Sequence, residues 1–210
     1  MSIRTNIVTT TCVLLMMACA AQGAPIPLDT ALDLTQAFPD INSSSSLVTT
    51  YVAATKSFIV TSYPIQYTEA DGTTTHNIGG ASQFTLTASI DNSGALQSGG
   101  TLTISGLISG VVDPFDNLIT VNLTDFGVSG TGSSAKFEFI GTTTGGAMAT
   151  EFSPKVGVIL VPGDGSYTGW FGSDFAGGSG ATVDTFLIPE PASVMLLLGC
   201  MSAVASRRRR

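Results

Sequence analysis

From Phe84 to Leu160 the chain repeats one pattern: an apolar residue at every second position, then a glycine-bearing break. Phe84, Leu86, Ala88 and Ile90 alternate with Thr85, Thr87 and Ser89. Leu102 and Ile104 alternate with Thr101, Thr103 and Ser105, and Ile119, Val121 and Leu123 with Thr120, Asn122 and Thr124. Phe137 and Phe139 flank Glu138. A two-residue period places one set of side chains on one face of an extended strand and the other set on the opposite face. Val156, Val158 and Leu160 form a further stripe, and the intervening Ile159 and Val161 are apolar as well, as expected of a central strand. The breaks at Asp71-Gly72, Asn92-Ser93-Gly94, Gly99-Gly100, Gly130 to Gly132, Gly145-Gly146 and Gly163 to Gly165 supply turns. Only Leu28 to Ala37 offers a short helical spacing, and an edge strand fits there equally. The expected fold is therefore all-β: a single antiparallel β-sandwich or jelly-roll-like domain of about eight to ten strands over residues 25–175. Residues 176–188 read as a Gly-rich stalk or a last strand.

Charge is unevenly placed. Five of the eight basic residues are Arg4 and Arg207 to Arg210, so residues 25–188 hold Lys56, Lys136 and Lys155 against 14 acids, a net charge of −11. No basic face can be assembled in such a body, which argues against a nucleic-acid partner. Cysteine falls outside the body too, at Cys12, Cys19 and Cys200. The body has no disulfide, thiol nucleophile or thiolate metal site, and its stability must come from packing.

The two ends read as membrane-directed segments. Arg4, the apolar run Ile7 to Ala18 and the small residues Ala18, Cys19, Ala20 and Ala21 form a secretory signal peptide over residues 1–24, the substrate of a signal peptidase. Cys19 also offers a lipoprotein-type alternative. At the other end, Pro189, Glu190 and Pro191 precede an uncharged run, Ala192 to Ser206, closed by Arg207, Arg208, Arg209 and Arg210. A helix through that run is about 22 Å long, short of the ~30 Å hydrocarbon core unless the arginines snorkel. Four arginines act as a membrane stop and stay cytoplasmic, which leaves the body outside. Thus a signal helix and a C-terminal transmembrane helix are expected to flank the β domain.

This C-terminal arrangement resembles the PEP-CTERM sorting signal of exported bacterial proteins, through Ile188-Pro189-Glu190-Pro191-Ala192-Ser193, Leu196-Leu197-Leu198-Gly199 and the arginine tail. The resemblance implies recognition of residues 189–210 by an exosortase, removal of the tail near the motif, and delivery to the cell surface or extracellular matrix of a bacterium that makes exopolysaccharide. The body also resembles the uncharacterised β-rich domain that often precedes such tails, through Leu32-Asp33-Leu34-Thr35, Phe137-Glu138-Phe139 and Gly172-Ser173-Asp174-Phe175 among others. That likeness brings no activity with it.

Chemistry is sparse. His76 is the sole imidazole and no Gly-x-Ser-x-Gly elbow is present, so an exposed strand position suits it better than a triad. Zinc needs more His or Cys than the body contains. A two-carboxylate hydrolase would draw on Glu69, Glu138 and Glu151, but Glu138 sits opposite core-facing Phe137 and Phe139 and is expected in solvent. Asp113 to Asn117, with Asp164 and Asp174, suit turns better than a calcium loop. Tyr167, Trp170 and Phe171 cluster near glycines and are candidate glycan contacts, with core closure as the alternative. The threonines follow no fixed sequence period, and β-propensity accounts for them. The expectation is a non-enzymatic exported protein of structural or adhesive type, without cofactor or metal, whose partners are signal peptidase, exosortase, transiently the membrane, and exopolysaccharide. A secreted carbohydrate-binding module is the alternative.

Overall fold

The computed structural model describes residues 28–44, 46–163, 165–179 and 182–188. The signal segment, the Pro189-Glu190-Pro191 motif, the apolar run and the arginine tail lie outside the described residues. Eleven strands are described: β1 (Asp40–Ser43), β2 (Ser46–Val52), β3 (Ser57–Ser62), β4 (Pro64–Thr68), β5 (Thr75–Ser89), β6 (Thr101–Ile108), β7 (Val112–Ser129), β8 (Lys136–Gly145), β9 (Lys155–Val161), β10 (Phe175–Ser179) and β11 (Thr182–Leu187). Every pairing is antiparallel.

The expectation of an all-β antiparallel body holds, but the sheet closes. Strands β4 to β9 pair in chain order, β11 adds to β9, and β1 lies between β11 and β4, which completes an eight-stranded barrel. The second half of β5 also carries β3, then β2, then β10. A jelly roll would need long connections between sequence-distant strands. Here six successive strands are neighbours, and only the first and last strands of the ring come from afar.

Closure depends on two long strands. β5 shifts register between Gly79 and Gln83, and β7 shifts between Thr120 and Val121. Such bulges bend a strand and let its two halves serve different neighbours. The Asp113–Asn117 segment, expected in a turn, therefore lies within β7. The Gly-rich stretch after Phe175 is not a stalk. Its residues pair as β10 against β2, and as β11 between β9 and β1.

The alternating stripes face the interior as their period requires. Phe84, Leu86, Leu102, Ile104, Ile119, Val121, Phe137, Phe139, Val156, Val158 and Leu160 are all buried. The β3-β2-β10 extension packs across the barrel wall through aromatic rings. Phe58 lies 5.3 Å from Phe137, Tyr51 5.0 Å from Phe171 and Tyr167 5.0 Å from Phe175 by ring centroid. Burial of this much ring area, with edge-on and tilted pairs, supplies stability without disulfides.

Residues 28–37 form neither helix nor strand but an extended strap across the outside of the barrel. The Leu28 N–H donates to the Gly169 carbonyl and the Thr30 N–H to the Val128 carbonyl, both at 2.8 Å. Gly127 on β7 permits the crossing: a Cβ there would stand 2.5 Å from the Thr30 carbonyl oxygen and 2.8 Å from the Leu32 nitrogen.

Candidate functional site

Residues nominated from the sequence do not converge. Tyr167 and Phe171 are buried, and their rings lie 5.2 Å apart inside the aromatic core. Trp170 alone of the three reaches solvent, at 38% exposure. Tyr167 and Phe171 close the core, and the three together do not make an exposed aromatic platform. Burial also pushes the Tyr167 hydroxyl well above the ordinary phenol range.

Glu138, expected in solvent, is fully buried. Its position does face outward from the barrel, but the strap covers it. Its carboxylate accepts the N–H groups of Leu32 at 2.6 Å, Asp33 at 3.1 Å and Leu34 at 3.0 Å, and pairs with Lys136 Nζ at 2.6 Å. Asp33 adopts φ 54°, and this left-handed residue turns three successive N–H groups toward one anion. Burial works to raise the pKa of Glu138. The Lys136 ammonium and the N–H donors of Leu32 and Leu34 outweigh it and hold the group below its ordinary range. No sequence signal marks this: alternation gives the face, and only tertiary packing decides what lies over it.

At one rim of the barrel a cavity of about 370 Å³ is lined by Tyr67, Glu69, Asp71, Val112, Met148 and Glu151 among others. His76 stands beside it, half-buried, with Nε2 2.7 Å from Glu69 Oε1 and its ring stacked on Tyr67 at 5.9 Å. Asp71 accepts the Thr73 and Thr74 N–H groups at 2.8 Å and the Thr74 hydroxyl at 2.6 Å, and these bonds hold it far below the ordinary range. Burial pushes the Tyr67 hydroxyl up to about 12, helped by the charges of Glu151, Glu69 and Asp71. Two of the three carboxylates at this rim are thus already engaged, one by its own turn and one by His76. Among the described residues no group of three or more His, Cys, Asp and Glu side chains is arranged to hold a metal ion.

The most extended ordered feature is an uncharged outer face. One row of directly opposed residues runs Thr50, Ile59, Thr87, Thr101, Asn122 and Thr142 across β2, β3, β5, β6, β7 and β8, and ends at the exposed Lys155 on β9. The next runs Val48, Thr61, Thr85, Thr103 and Thr120. These side chains are half-buried or exposed. The Thr87 and Thr101 hydroxyls meet at 3.1 Å. Cross-strand register, not sequence period, aligns these threonines, which is why the sequence shows no repeat. Rows of β-branched residues also stabilise the sheet itself.

Beside the second row lies an open depression of about 330 Å³, lined by Tyr63, Gly80, Ala81, Ser82 and Gln83. It forms where β5 passes from β3 to β4: the β3 ladder ends at Ser62 opposite Phe84, and the β4 ladder resumes at Gln66 opposite Asn77. Tyr63, at the junction, is 57% exposed. No family model, no curated protein and no solved structure matches this chain.

Proposed function

We propose that this is an exported surface or extracellular-matrix protein of structural or adhesive type, sorted by an exosortase through residues 189–210. The body acts by presenting a surface. The observation that carries this reading is the double row of uncharged, hydroxyl-bearing side chains across successive strands of a body whose net charge is −11. An acidic body repels polyanions, while a neutral hydroxylated face can lie against neutral, hydrated matrix. The secretory signal at residues 1–24 and the Pro189-Glu190-Pro191, apolar and Arg207–Arg210 series support the route of export.

Deletion of residues 189–210 tests the route. Expressed in its host, the full-length chain should yield a mature protein at the surface or in the matrix, lighter by both end segments in intact-mass spectrometry. The truncated chain should be released into the medium or held in the periplasm. The same location for both chains, or a mature full-length protein that still carries residues 189–210, would end the sorting reading.

A further inference from the structure

We propose that the depression at the β3–β4 junction, together with the adjoining threonine face, is a binding site for a neutral polysaccharide chain. This deepens the adhesive reading above and rests on it, because it supplies the place where a matrix protein would hold matrix glycan.

Three features of the junction carry the inference. First, its surface combines an exposed aromatic ring with a side-chain amide and hydroxyls. Tyr63, Ser82 and Gln83 line the opening, and Ser105 continues the row of Gln83 onto β6. A sugar offers a C–H face that packs on a ring and a rim of hydroxyls that exchange hydrogen bonds, so this pairing suits it. Second, the shape is built by the backbone. The β5 register shift lifts residues 80–82, and the Ser82 hydroxyl fastens that bulge to the Pro64 carbonyl at 3.0 Å. Gly80 at φ 78° lets the Phe115 ring lie over the strand, where a Cβ would stand 3.0 Å from its Cδ2. Phe115, itself exposed, thus adds a second ring close by.

Third, charge selects the ligand. No Asp, Glu, His, Lys or Arg side chain lines the depression. Asp116, exposed and paired with Gly106 one position along β7 from Asn117, adds negative charge beside that row and disfavours an anionic chain. A second copy of the chain is a poorer occupant. Six strands about 4.8 Å apart and three rows about 7 Å apart cover roughly 400 Å², about half of the ~800 Å² each partner contributes to a stable interface. A glycan lying along the rows needs no such area.

Affinity electrophoresis of the full-length protein in mild detergent tests this in gels containing neutral β-glucan, xyloglucan, galactomannan or dextran, with alginate as the anionic control. At least one neutral gel should retard the protein while alginate does not. Tyr63→Ala should weaken that retardation about tenfold, Gln83→Glu should weaken it as well, and Trp170→Ala should leave it unchanged. Gln83→Glu preserves size at an exposed position, so it remains informative if Tyr63→Ala loses the circular dichroism of the folded sheet. No retardation in any neutral gel, retardation insensitive to both substitutions, or a stronger effect in alginate would each overturn the site. Export and tail removal are not read by these gels, so failure of the sorting route leaves this result standing.

Discussion

Asp40 shows how a single side chain can set the pH response of the whole barrel. It is fully buried on β1, where its Oδ2 accepts the Gln36 and Asn42 amides at 2.7 and 2.8 Å and its Oδ1 has no hydrogen-bond partner among the described residues. Burial pushes its pKa up to about 6, against the Gln36 bond, and the charge of Asp184 adds to the rise. Burial raises Asp184 too. A carboxyl that is easier to protonate folded than unfolded contributes stability below its unfolded pKa and loses it as pH rises through the folded one. Between pH 7.5 and 5, urea titration should therefore show the protein gaining about 1 kcal/mol. Asp40→Asn should flatten that gain. A profile that falls steadily from pH 7.5 to 5 in the wild type would contradict this. Below that window Glu138, Asp71 and Asp91, all held low by their hydrogen bonds, act in the opposite sense.

Among the elements, the strap over residues 28–37 is where sequence and structure part. The inward stripes of β5 to β9 were legible because a two-residue period and the interior impose the same pattern. The strap was not. It has no periodic partner of its own, and its conformation is dictated by a carboxylate more than a hundred residues away. The same gap hid the junction at Tyr63, since it arises from a change of strand partner that depends on register. The aromatic cluster was half legible: the grouping of Tyr167, Trp170 and Phe171 was visible, but not the side from which β10 and β2 would cover them. Glu138→Ala should unfasten the strap. Three N–H groups and the Lys136 ammonium would lose their acceptor, at a cost of about 3 kcal/mol in denaturant unfolding. Hydrogen exchange should quicken at Leu32 to Leu34 while β6 stays protected. Unchanged exchange in the strap would show that other contacts hold it.

At the scale of the whole molecule, the ring is sealed by its first and last strands. β11 ends at Leu187, whose N–H donates to the Pro39 carbonyl at 3.2 Å, and the Ile188 N–H reaches the Lys155 carbonyl at 2.9 Å. The ladder therefore runs up to within one residue of Pro189. Under the sorting route proposed above, a membrane-bound peptidase that cuts in or near residues 189–191 would need an extended stretch of chain, and the described chain is still hydrogen-bonded to the barrel at Ile188. On that proposal, cutting would require the end of β11 to fray, or an enzyme whose mouth accommodates the barrel itself. Release from the membrane would then be coupled to the local opening of a single strand, a brake set by the fold and not by the protease. Insertion of a six-residue Gly-Ser linker after Ile188 should speed tail removal several-fold in a pulse-chase experiment without altering thermal stability. An unchanged rate would show that the strand end imposes no such brake.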